Sequence, residues 1–180
     1  MLAVGAFLAA CNSHDSVKEA NTENSQKADS MQVAPVNEKD SKFLTSAASG
    51  AMMEVELGNL AQQQGVNARV KEFGAMMVRD HSKANDELKK IAAERQVTLP
   101  AELSNHHQMM VDDLKKKTGK DFDKAYIDMM VDDHHEDIEA FKDAAGNAVE
   151  SDIRGFAART LPTLQTHLDS AQAIKNSKLK

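Results

Sequence analysis

Four stretches of this chain carry apolar side chains at helical spacing, and little interrupts them. Only eight glycines and three prolines punctuate 180 residues, which argues for few, long elements. The first stretch, about 40–64, aligns Phe43, Ala47, Gly50, Leu57 and Ala61 on one stripe. The second, about 67–95, aligns Val70, Gly74, Met77, Ala84, Leu88 and Ile91. The third, about 121–145, aligns Ile127, Val131, Ile138, Phe141 and Ala145. The fourth, from 149 or 151 to 176, aligns Ile153, Ala157, Thr160, Leu164, Ala171 and Ile174. No segment sustains a period of two. Each stripe has to be buried against others of its kind, so the pattern predicts an all-α four-helix bundle over residues 39–176.

The connections refine that expectation. Asp40 and Asn67 are candidate N-caps, and Gly65 ends the first helix. The link between helices one and two is so short that they must run antiparallel. Residues 97–120 are different. Pro100 precedes a short amphipathic helix near 101–117, and Thr118-Gly119 ends it. Such a helix covers about 25 Å and can carry the chain along the bundle. His106 and His107 lie on it and read as surface residues. Pro162 falls inside the fourth helix, where it predicts a kink.

Composition bears on partners and location. Net charge is -6, which argues against nucleic acid. There is one cysteine, Cys11, and so no internal disulfide. The preceding Met1–Ala10 run is apolar, and Leu8-Ala9-Ala10-Cys11 resembles a bacterial lipobox. That predicts a signal peptide over 1–10, cleavage before Cys11, and a lipid anchor on its thiol. Residues 11–38 are polar and predict a disordered tether, and 177–180 form a short tail. The expected location is the cell envelope, facing the periplasm. Asn12 after the lipidated cysteine favours the outer membrane over the inner.

Four polar residues stand inside the apolar stripes: Glu54, His81, His134 and His167, one per helix. Two of them end a repeated hexapeptide, Met76-Met77-Val78-Arg79-Asp80-His81 and Met129-Met130-Val131-Asp132-Asp133-His134. Their distances from the turns place all four near one level of the bundle. Burying them alone costs on the order of a few kcal/mol each. They must therefore bind one another, meet water, or hold a metal. Three imidazoles and a carboxylate suit one transition ion, Zn, Fe, Mn or Cu. Asp80, Asp133 and Tyr126 are candidate outer partners of the ligands. The competing reading is a hydrogen-bonded network that sets helix register without metal. A carboxylate di-iron site is short of ligands, because Val78 and Val131 stand three residues before His81 and His134. Four Met-Met pairs raise copper bound through thioethers and imidazoles, although Met also fills helical cores. No nucleophile elbow, phosphate loop or dinucleotide fingerprint is present, so no catalytic residue is assigned and a non-enzymatic role is favoured.

A family resemblance rests on a set of these residues. Glu54-Val55-Glu56-Leu57-Gly58, Asp80-His81 with Asn85 and Leu88, Phe122-Asp123 with Tyr126, His134 with Phe141, and Leu161-Pro162 with Leu164 and His167-Leu168 together resemble the DUF4142 family. The likeness spans about 41–174. It implies an exported bacterial protein with a ferritin-like bundle and a crossover between helices two and three. It implies no activity.

Overall fold

The computed structural model describes residues 15–30 and 36–177. They form six helices: α1 (Ser16–Ser30), α2 (Glu38–Gln64), α3 (Ala68–Glu94), α4 (Asn105–Lys115), α5 (Gly119–Asn147) and α6 (Ser151–Asn176). Cys11, the expected leader and residues 178–180 lie outside the described residues. Among the described residues, no helix is long and apolar enough to cross a membrane.

The four long helices, α2, α3, α5 and α6, make the bundle. α2 packs along α3 and α5 along α6, and the two hairpins join through α3 on α6 and α2 on α5. Contacts at the helix ends fix their directions. Asp123, near the start of α5, accepts hydrogen bonds from the N–H groups of Val66 (3.1 Å) and Asn67 (2.8 Å) in the α2–α3 turn. At the opposite end, Asp40 near the start of α2 accepts from the Glu150 N–H, 2.9 Å away in the α5–α6 turn. There too, Arg95 past the end of α3 forms a forked pair with Asp152 at the start of α6. α2 and α5 are thus antiparallel, as are α3 and α6. The chain leaves α3 at one end and must begin α5 at the other. Residues 95–118, with α4 lying against α2 and α5, make that crossover. This is the ferritin-like bundle with an extra short helix that the stripes and the resemblance predict.

Two glycines set the depth of the first hairpin. A Cβ on Gly58 would stand 2.7 Å from the Gly74 carbonyl oxygen, and one on Gly74 would stand 2.7 Å from that of Gly58. Only paired glycines let α2 and α3 approach this closely. Leu57, Met77, Ile127, Met130, Ile153 and Leu164 then fill the centre.

Several details differ from the sequence reading. Asn37, not Asp40, caps α2, its side chain accepting from Lys39 N. Asp40 is instead buried and ties α2 to the α5–α6 turn. The larger correction concerns the tether expected over 11–38. Residues 16–30 form a helix lying on α2. Its attachment is polar. Asn24 and Thr98 exchange hydrogen bonds through the Thr98 backbone at 3.0 and 2.7 Å. Thr45 donates to Asn21 at 2.8 Å. Asp15 accepts from Asn105 N, and Ser16 from Glu102 N. α1 therefore clasps the crossover onto α2 with little apolar burial beyond Ala20.

Candidate metal centre

One turn separates Met130 from His134 on α5, and the ring of His134 folds back along its own helix. Its Nδ1 lies 2.9 Å from the Met130 carbonyl oxygen. Its Nε2 points into the bundle, 3.2 Å from His167 Nδ1 on α6. The same His167 Nδ1 lies 3.2 Å from His81 Nε2 on α3. Each of the three rings carries an outer partner on its remaining nitrogen. His167 Nε2 faces Asp80 Oδ2 at 3.1 Å, and His81 Nδ1 faces Glu54 Oε2 at 2.7 Å. Glu54, His81, His134 and His167 are all at least 95% buried. All four stripe residues thus meet at one level.

The positions of the ring protons follow from these partners. A carbonyl only accepts, so His134 Nδ1 carries the hydrogen and its Nε2 a lone pair. Arg79 makes two 2.8 Å bonds to Asp80 and holds that carboxyl below its usual range. Anionic Asp80 only accepts, so His167 Nε2 carries the hydrogen and Nδ1 a lone pair. Two lone pairs therefore confront each other across 3.2 Å. Burial works against protonating either ring. It pulls His167 down to about 4, helped by His81, and drives His134 well below its ordinary value. An ionised Glu54 would accept from His81 Nδ1 and leave a third lone pair at Nε2, a state that burial of Glu54 opposes until a cation binds. Ring nitrogens 2.0–2.1 Å from a tetrahedral ion stand about 3.3–3.4 Å apart, close to the spacing seen here. Nδ1 or Nε2 bound outward to a carboxylate or a carbonyl is also how metal-binding histidines are held.

Residues 25–174 match the family described as Domain of unknown function (DUF4142). The chain belongs to that family. Two solved structures share its fold. A DUF305 fragment from Deinococcus radiodurans aligns with a TM-score of 0.70 at 10% identity, covering 79% of this chain and 99% of its own. CopM in the Cu(II)-bound form aligns with a TM-score of 0.66 at 15% identity, covering 77% of this chain and 96% of its own. No curated protein sequence matches.

In this DUF4142 bundle the cluster is more acidic than the stripes alone suggest. Glu54 Oε1 lies 3.5 Å from His134 Nε2 and has no hydrogen-bond partner. Glu54 thus supports His81 with one oxygen and turns the other toward the rings. Asp80 stands where an outer partner is expected. Asp133 does not bond a ring nitrogen through Oδ2; that oxygen is buried and unpartnered, as is the Tyr126 hydroxyl. Asp137, which the stripes leave out, lies one turn beyond Asp133. Burial, reinforced by Glu54, raises it to about 8. Glu54 itself is driven well above the carboxylate range by burial. The spacing of Tyr126, Asp133 and Asp137 on one face of α5 was the available signal for this acidic side.

The centre is reached from outside. A cleft of about 220 Å³ opens between α3 and α6, lined by Asp80, His81, Glu87, Arg159, Thr163 and His167 among others. Glu87 on α3 pairs with Arg159 on α6 at this opening. Deeper in, a void of about 20 Å³ touches Glu54, His81, Asp137 and Thr160, space for one water. Three of the four Met-Met pairs place a methionine in the core, at Met53, Met77 and Met130. His107, expected at the surface, is half-buried with its Nδ1 2.7 Å from Ser49 Oγ.

Proposed function

We propose that this chain is an envelope metal-binding protein that holds one divalent transition ion through His81, His134 and His167, with Glu54 beside them. The observation that carries this reading is the pair of lone pairs on His134 Nε2 and His167 Nδ1, 3.2 Å apart. They repel each other whatever the protonation of Glu54, and a cation between them removes the conflict. Of Zn, Fe, Mn and Cu, three imidazoles favour zinc or copper, and copper binds such donors most tightly. The fold shared with CopM in its Cu(II)-bound form supports copper as the first ion to try. The Leu8-Ala9-Ala10-Cys11 pattern supports anchoring to a membrane through Cys11, with the bundle facing the periplasm from the outer membrane. Palmitate labelling lost on Cys11→Ser would support the anchor; unchanged labelling would overturn it.

The test of the centre is direct. Chelator-stripped protein is titrated with Cu²⁺ or Zn²⁺, and bound metal is counted by mass spectrometry. The expected result is about one equivalent at the histidines, lost in His134→Ala and His167→Ala. A wild-type protein that takes up no stoichiometric metal at neutral pH sinks the reading. A second reading then stands, favoured by the burial that raises Glu54. A protonated Glu54 donates to His81 Nδ1, and His81 Nε2 donates to His167, giving a network that fixes helix register. It leaves His134 Nε2 without a donor, which is why it ranks second.

A further inference from the structure

The histidine centre is closed on one side and open on the other. His81 and His167 line the cleft of about 220 Å³ between α3 and α6, whereas His134 and Glu54 do not. An ion among the three ring nitrogens would face that cleft with His134 and Glu54 at its back. Metal centres with three protein ligands can keep a further position for water or a bound molecule. The cleft walls carry the means to hold an anion there. Four charged side chains line it: Asp80, Lys83, Glu87 and Arg159. Asp80 is taken by Arg79 and His167, and Glu87 by Arg159. No carboxylate of the described residues pairs with Lys83, which is exposed two residues beyond His81. Of the two threonines on the lining, Thr160 donates to the Phe156 carbonyl, while the Thr163 hydroxyl is left to the cleft.

We infer that this cleft binds a small monocarboxylate, with one oxygen on the ion held by the histidines and the other toward Lys83 and the Thr163 hydroxyl. It rests on the reading above and names the outside ligand of that same centre. Size and charge select the class. The cleft is smaller than the roughly 300–1,000 Å³ pockets that take drug-sized ligands, so it suits a few heavy atoms. One unpaired cation on the described lining matches one negative charge, whereas a dianion such as phosphate would also meet Asp80 and Glu87. A halide has no second atom to offer Lys83 once it sits on the ion.

The experiment fills the histidine site first. Stripped full-length protein is loaded with one equivalent of Cu²⁺, and its copper content is counted by mass spectrometry. Acetate, chloride or phosphate is then titrated in at constant pH and ionic strength. The visible absorption and electron paramagnetic resonance spectrum of the bound Cu²⁺ are followed. Acetate should shift both and saturate, with the copper retained, and should bind more tightly than chloride or phosphate. Lys83→Met should weaken acetate by about tenfold and Thr163→Val by about threefold at unchanged copper content, since charge-assisted hydrogen bonds outweigh neutral ones. Lys90→Met removes an exposed lysine of α3 that does not line the cleft, and should leave acetate binding as it is. A copper-loaded wild type whose spectra ignore acetate overturns this inference and leaves the histidine site standing. So does a Lys83→Met protein that binds acetate as wild type does, or chloride bound as tightly as acetate. A chain that takes up no copper overturns both the inference and the reading beneath it.

Discussion

The ends and the middle of this bundle both bury polar side chains, and they use them in opposite ways. At the ends the buried carboxylates Asp40 and Asp123 are spoken for, while Gln64 Oε1 at the close of α2 has no partner. Asp123 accepts two backbone N–H groups of the α2–α3 turn, Asp40 accepts one from the α5–α6 turn, and Arg95 forks onto Asp152. Each joins segments far apart in sequence. In the middle, two imidazole lone pairs face each other, and oxygens of Glu54, Asp133 and Tyr126 have no partner. Satisfied polar groups hold a fold together; a cluster of unsatisfied ones calls for an explanation, such as a water or an ion held there. By that criterion the middle, where such groups cluster, is the candidate site, and the ends are mainly architecture.

Substitutions should separate the two regions. The largest effect is expected in the middle. His167→Ala should weaken metal binding by more than about 100-fold, since even outer partners of ligands cost 10–100-fold. The melting temperature of the stripped protein should hardly move, because a conflicted polar group has been removed. A large fall in the stripped protein's melting temperature would erase the distinction drawn here. Asp123→Ala should do the reverse. Loss of two charge-assisted bonds is expected to lower stability by about 3 kcal/mol, measured by urea unfolding, with metal affinity unchanged.

Asp80→Asn comes next, since it touches the centre only through His167. Asparagine can offer His167 its amide oxygen but no charge, so affinity should fall by about 10–100-fold, read by competition with a chelating dye. The middle should also govern pH dependence in the stripped protein. Burial lowers His81 and His167 to about 4, so the unfolded chain binds the extra protons between about 4 and 6.5, and their contribution to stability is complete above 6.5. Asp137 acts with the opposite sign. Burial raises it to about 8, so the folded chain keeps a proton that the unfolded chain gives up above about 4. Above pH 6.5 only the acids still titrate between the two states. The stripped protein should therefore lose stability from pH 6.5 to 8, and Asp137→Asn should flatten that slope. An equal slope in the variant would show that Asp137 is not the group responsible. The smallest effect belongs to the clasp at the periphery. Asn24→Ala should cost about 1 kcal/mol and speed amide exchange in α1 while leaving the bundle's exchange unchanged.

Much of this architecture was legible because it is written in apolar periodicity. Stripes containing Leu57, Met77, Ile138 and Leu164 fix four helices, and a polar residue inside a stripe is necessarily turned inward. That logic, with the positions of the turns, brings Glu54, His81, His134 and His167 together. It fails where burial does not come from a stripe. α1 binds through Asn21, Asn24 and Ser16, and a polar stretch held by side-chain hydrogen bonds looks like a tether. Asp40 could not be told from a cap, since the residue that ties two turns is also one that caps helices. Asp133 and Asp137 flank the stripe of α5, and they are drawn inward because the centre is wide enough to admit them. Only the three-dimensional spacing of the helices reveals that width.

The opening between α3 and α6 bears on how cargo would travel. Two of the three rings, His81 and His167, line it, so the centre borders an outward-facing cleft while the hairpins stay docked. A guest held there need not wait for the scaffold to come apart. One surface pair, Glu87 with Arg159, spans the opening that such a guest would have to pass, a doorway held by charge and not by packing.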